Sequence, residues 1–228
     1  MLDHRGGGEG KLSIAICSDP NSWINDSIPE LLLSLLSAGH SCVWAHDADD
    51  LHHGDLCFYL SYGRIVSQEK LGQFQNNLVV HASDLPEGRG WSPASWMILE
   101  GKNRIPITLI EALCEVDSGP IYDQIWLELD QTDLIDVWHS KLSEATASLV
   151  CSFVSNYPVS LQKKRDQQGQ SSFYERRRPL DSQLDATQPL NKQFNLLRIV
   201  DNESYPAFFQ IHSSEFVLKI YKRTPTKH

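Results

Sequence analysis

No C-x-x-C pair occurs among the five cysteines, Cys17, Cys42, Cys57, Cys114 and Cys151, and their wide spacing suits neither a zinc cluster nor a disulfide framework. Buried free thiols in a reducing compartment are expected, with the cytoplasm as the location. No apolar run reaches the ~18 residues of a membrane span, and no signal-peptide core is found, so no membrane partner is expected. Positive charge is scarce: 20 Lys and Arg face 29 Asp and Glu, for a formal charge of -9, which argues against a nucleic-acid surface. The Gly-x-Gly-x-x-Gly loop is missing after the first apolar run, so no dinucleotide site is advertised. Asp47 to Asp50, with His52 and His53 nearby, have no spacing that would hold a metal in a defined geometry. They read as an acidic, solvated loop, and no metal is expected.

The chain does have a core, since 41% of its 228 residues are hydrophobic. Residues 1–10, MLDHRGGGEG, are polar and Gly-rich and read as a disordered leader or as residues ahead of the true start. Leu12 to Cys17, Cys42 to Ala45 and Leu56 to Leu60 read as short strands. A helix is expected over 22–38, stopped by Gly39. A longer one, capped by Asp130 or Thr132 and closed by Pro158, carries the apolar stripe Leu134, Trp138, Leu142, Ala145, Leu149 and Phe153. Strands alternating with helices in this way predict an α/β fold with an open, mostly parallel sheet.

Residues 77–121 are the organising stretch. Leu78 to Val80 is a short apolar run ending on His81, and a loop rich in Ser, Asp, Pro and Gly follows to Gly90. After Trp91 and Pro93 comes a short helical piece, then a strand from Ile105 to Leu113, then Asp117 in a Ser-Gly-Pro turn. An imidazole and a carboxylate are thus expected at the ends of two strands, where open α/β sheets do their chemistry. Such loops also serve purely structural turns, and both readings stand on the residues alone.

The ordered set His81-Ala-Ser-Asp-Leu-Pro-Glu-Gly-Arg-Gly90, Pro93, Trp96, Thr108 and Asp117-Ser-Gly-Pro-Ile121 resembles the signature of the 10-formyltetrahydrofolate-dependent formyltransferases. The resemblance implies a Rossmann-like formyltransferase fold with a small α+β C-terminal subdomain. It also implies 10-formyltetrahydrofolate as formyl donor, with His81 and Asp117 as the catalytic pair. By the same likeness, Tyr62, Gly63, Arg64 and Ile65 would line one side of the donor slot, with Val116 and Asp117 on the other. Acceptor contacts would fall on Arg89, Gly90 and Trp91.

One position departs from the family pattern. The family asparagine belongs two residues before the histidine, where this chain has Val79. Asn77 shares a strand face with His81 but lies about 13 Å away along an ideal strand. Another donor to the formyl oxygen is therefore expected. Ser83 is the nearest polar side chain, and the backbone N–H groups of the Pro86-to-Gly90 loop are the alternative.

Past Pro158 the composition changes, with six basic residues between Lys163 and Arg178. They suit a solvated hairpin or linker, or an edge facing phosphate. The tail resembles the subdomain of nucleotide-sugar N-formyltransferases in Arg177-Arg178, Asp181, Asn195-x-x-Arg198 and Pro206-Ala-Phe-Phe209, which implies acceptor contacts at Arg177, Arg178, Asn195 and Arg198. The expected layout is a leader over 1–10, a catalytic domain over 11–158, a linker or hairpin over 159–172 and a small subdomain over 173–228. A short tail and net acidity favour a nucleotide-linked amino sugar as acceptor, of the pseudaminic-acid or surface-glycan type, and are compatible with a homodimer. A methionyl-tRNA formyltransferase-like enzyme acting on another amine, or a catalytically weak folate- or sugar-binding module, are the alternatives.

Overall fold

The computed structural model describes residues 10–223, so the expected leader falls outside the described residues save for Gly10. Strand β1 (Ser13–Cys17) is followed by helix α1 (Ile28–Ser37), β2 (Ser41–Ala45), β3 (Gly54–Tyr59), the short α2 (Gln68–Leu71) and β4 (Phe74–His81). Next come β5 (Arg89–Gly90), α3 (Pro93–Leu99), β6 (Arg104–Glu111), β7 (Ile121–Glu128) and the long α4 (Ile135–Ser155). The tail holds β8 (Phe173–Tyr174), α5 (Phe194–Ile199), β9 (Ala207–Ile211) and β10 (Ser214–Leu218).

The main sheet has the order β2-β1-β3-β4-β6-β7, parallel from β2 to β4 and antiparallel at β6 and β7. Its central strands are apolar on both faces, as strands covered on both sides must be. Ile14, Ile16, Leu56, Phe58 and Leu78 pack toward α1 and α4, while Ala15, Cys17, Cys57 and Tyr59 pack with Leu71 and Phe74 on the other side. Burial pushes the Cys17 and Cys57 thiols up to about 12. All five cysteines are free; Cys114 is exposed rather than buried. Among the described residues, no helix is long and apolar enough to cross a membrane.

Two helix boundaries differ from expectation. The helix foreseen over 22–38 is a 3-10 turn (Trp23–Asp26) followed by α1, because Pro29 fits only the first turn of a helix, where its missing N–H is not needed. Gly39 does close α1, with φ +94° and its N–H on the Leu36 carbonyl. At α4, neither Asp130 nor Thr132 caps. Leu134 stands at the N-cap, while Asp130 accepts from the N–H and hydroxyl of Thr132.

The segment expected as linker or hairpin lies against the body of the protein. Arg165 pairs with Ile121 through two backbone bonds, and Ser172 bonds the loop after β4 through its hydroxyl to Gly88 N and its carbonyl to Arg89 N. The tail is then joined to the body at Arg198, which is 1% exposed. Its guanidinium donates to the carbonyls of Asp130 and Asp133 and to Asn195 Oδ1.

Candidate functional site

Strands β1, β3 and β4 end side by side at Cys17, Tyr59 and His81, and the loops that leave them open a cavity of 680 Å³. That is the size of a small-molecule site, typically about 300–1,000 Å³. Successive strand residues face opposite sides of a sheet, so the cavity straddles the sheet edge. Tyr59 and Val79 line it from one face; Leu60, Val80 and Ala82 line it from the other.

His81 and Asp117 meet at this edge, with Nδ1 of the ring 3.5 Å from Asp117 Oδ2. Nε2 lies 2.8 Å from the Gly88 carbonyl, and Asp117 Oδ2 also accepts from Gly90 N at 2.9 Å. Both neighbours of the ring are acceptors, so a neutral imidazole donates to only one of them at a time. Asp117 Oδ1 makes no bond among the described residues and is the oxygen left for a ligand.

Asp117 does not arrive as expected. β6 runs antiparallel to β4, so its C-terminal residue Glu111 pairs with Leu78 and not with His81. The carboxylate instead reaches the histidine through a loop, 112–120, that doubles back along the sheet. The turn is tight. Asp117 has φ +51°, and a Cβ on Gly119 would run into the Glu111 carbonyl. Gln167 locks the loop by donating to the carbonyls of Asp117 and Gly119.

Of the residues anticipated at a donor slot, Tyr62, Gly63, Arg64, Ile65, Val116 and Asp117 all line the cavity. Gly63 is held by Asp19, which accepts from its N–H at 2.9 Å, and a Cβ there would meet Arg176 Nη2 at 2.6 Å. Arg64 is engaged with Asp47 Oδ2 and the His46 carbonyl. The slot is mostly apolar, walled by Tyr59, Tyr62, Val79, Ile110 and Val116, which suits a heteroaromatic ring such as a pteridine.

The anticipated acceptor residues divide. Gly90, Trp91 and Arg177 line the cavity, and so does Arg176, whose exposed guanidinium donates to the Gly63 carbonyl and lies 5.7 Å from the Trp91 ring centroid. Arg89, Arg178, Asn195 and Arg198 do not line it. Arg89 is taken up by Glu115 and Gln167, and Asn195 and Arg198 form the buried joint of the tail. Ser83 is also away from the cavity: it is 1% exposed, its hydroxyl has no partner, and its carbonyl accepts from Thr108. Asn77 is no substitute for the family asparagine either, being buried and bonded to the Leu71 carbonyl and the Tyr59 hydroxyl.

The sequence reading passed over one wall of the cavity. Ile135, Trp138, His139, Leu142 and Thr146 of α4 line it, together with Trp23 and, from the tail, Asp201 and Tyr205. Trp138 is core as expected, 2% exposed. The signal for the others was a histidine and a threonine interrupting an apolar face at helical spacing. Among the described residues, no cluster of three or more His, Cys, Asp or Glu side chains is placed to hold a metal ion.

Residues 45–154 match the family model described as formyl transferase. A methionyl-tRNA formyltransferase of Bacillus velezensis is 36% identical over 103 residues, 45% of this chain and 32% of the relative. The chain spans a third or less of the length of the curated relatives it matches. A solved methionyl-tRNA formyltransferase from Clostridium thermocellum superposes with a TM-score of 0.78 at 20% identity, over 95% of each chain. A sugar N-formyltransferase from a Shewanella species superposes with a TM-score of 0.66 at 15% identity, over 94% of this chain and 99% of the other. At such identities these two likenesses speak for the fold. The fold is that of the formyltransferases, and residues 45–154, just under half of the chain, are similar to the formyl transferase family.

Proposed function

We propose that this protein transfers a formyl group from 10-formyltetrahydrofolate to a primary amine, and that the amine belongs to a nucleotide-linked amino sugar. The observation that carries the reading is the His81–Asp117 pair at the edge of a cavity open to both faces of the sheet. The donor supplies a formyl group already activated on nitrogen. The amine nitrogen bonds to the formyl carbon, the bond from that carbon to the folate nitrogen breaks, and the proton lost by the amine ends on the departing folate nitrogen. The chain's own part is to hold the amine, relay that proton and stabilise the oxygen on which charge develops. Asp117 holds the imidazole through Oδ2 and offers Oδ1 to the amine proton, directly or through one water. His81 lets go of one of its two acceptors and donates to the oxygen. An imidazole suits this because it exchanges protons near neutral pH. Val79 provides no donor where the family asparagine would provide one, a term worth about 3 kcal/mol per donor in acyl transfer.

Two features support a small acceptor over an RNA. The net charge is -9, and the exposed Arg176, one of three arginines lining the cavity, offers a guanidinium to a phosphate group. The pseudaminic-acid or surface-glycan pathway, with its location in the cytoplasm, is the finer form of the same reading. Incubation with 10-formyltetrahydrofolate and a panel of UDP-, dTDP- and CMP-linked amino sugars, followed by mass spectrometry, tests it. The expected result is a one-formyl mass gain on at least one member. Gain on methionyl-tRNA and on no sugar would contradict the acceptor class.

A further inference from the structure

The two faces of the sheet give the cavity two unlike arms. The arm on the Tyr59 and Val79 face is the apolar slot already described. The other, on the Val80 and Ala82 face, lies between α4, the 3-10 turn after β1 and the tail. Its wall includes a stacked pair, Trp23 on His139, with ring centroids 4.3 Å apart and planes 17° from parallel. Trp138 meets the same imidazole edge-on at 4.1 Å. Burial pushes His139 down to about 4, so the ring is neutral at cellular pH and offers one donor and one acceptor. Neither nitrogen has a hydrogen-bond partner among the described residues.

The groups around this platform are also incompletely bonded. Asp201 accepts from Glu203 N and Ser204 N through Oδ1, and its Oδ2 has no partner among the described residues. A ligand in this arm would find the Asp201 carboxylate and the His139 ring as its unengaged polar partners.

We propose that this second arm binds the hydroxyl-bearing ring of the acceptor, with Trp23 and His139 as its platform and Asp201 as its principal hydroxyl acceptor. An apolar aromatic face packs against the C–H side of a saturated ring. A neutral imidazole and a carboxylate exchange hydrogen bonds with hydroxyls. A phosphate would be repelled by Asp201, so the arm fits the sugar and leaves the charged carrier to the mouth at Arg176. Donor and acceptor then approach from opposite faces of one sheet and meet at His81 and Asp117.

The inference rests on the amine-formylation reading, and its test separates the two. The UDP-, dTDP- and CMP-linked amino sugars of the panel are assayed by formylation and by saturation-transfer NMR, with wild type, Asp201→Asn and His139→Phe. The first variant keeps the oxygen that closes the Asp201 turn, and the second keeps the stacked ring. With the best acceptor, each variant is expected to raise the acceptor KM about tenfold and leave tetrahydrofolate affinity within about twofold. Saturation should fall on the sugar-ring protons. An unchanged acceptor KM, an equal loss of tetrahydrofolate affinity, or saturation confined to the nucleobase would overturn the second arm while leaving formyl transfer intact. A panel with ring saturation and no formylation would overturn the reaction and keep the arm. Neither signal in any member would overturn both.

Discussion

At the scale of single residues, the informative position is Val79. It lies on an apolar stretch of cavity wall with Tyr59, Leu71, Ile110 and Ala112, and it packs against Leu85, Ile110 and Ile121. An asparagine there would be stranded among apolar groups at a cost of roughly 1–3 kcal/mol. Val79→Asn is expected to lower both kcat and the denaturation midpoint. A rise in kcat would show that the wall still fits the family amide. Ser83→Ala bears on the donor question from the other side. With its hydroxyl buried away from the cavity, turnover should stay within about threefold of wild type, and a loss of about 10²-fold would make Ser83 the missing donor. That His81 and Asp117 come together was legible in the sequence because the motif around each fixes loop shape. The other partner of His81 was not, since the carbonyl of Gly88 is a backbone group with no signature of its own.

At the scale of elements, α4 and the tail carry the predictions. His139 is held by burial at about 4 against an ordinary 6.5, and Asp201 acts in the opposite sense. The unfolded chain therefore takes up a proton first. Stability contributed by the neutral ring is full above pH 6.5 and is lost as pH falls toward 4, by about 3 kcal/mol in all. Urea midpoints across that window should fall more steeply for wild type than for His139→Phe; parallel slopes would mean the imidazole is not buried as described. Arg198→Met should cost about 2–4 kcal/mol of stability, because the carbonyls of Asp130 and Asp133 lose their donor in a buried setting. A change below about 0.5 kcal/mol would remove Arg198 from the joint. The elements themselves were largely legible: apolar strands, the α4 stripe and the Gly39 stop all recur where their patterns put them. The reversal of β6 was not, since an apolar strand such as Ile105–Leu109 reads the same in either direction. That reversal is why Asp117 is delivered by a loop.

At the scale of the whole molecule, the proposed reaction uses both faces of an open sheet at one edge to bring two ligands together. The motif over 77–121 made the donor side readable, because a tight loop needs particular residues at particular positions. The proposed acceptor side draws on Trp23, His139 and Asp201, some 180 residues apart at the extremes, and no local pattern joins them. The central claim is that His81 and Asp117 carry formyl transfer at the meeting of the two arms. The most direct measurement is single-turnover transfer of a carbon-13-labelled formyl group from 10-formyltetrahydrofolate to the best acceptor of the panel, in wild type, His81→Ala and Asp117→Ala. The account predicts label on the acceptor nitrogen with wild type, and a rate lowered about 10²-fold or more in each variant. Tetrahydrofolate should still bind, and stability should shift by no more than about 1 kcal/mol. More than about a third of the wild-type rate in either variant would contradict the account, since that residue would then be holding the loop and not handling the proton or the oxygen.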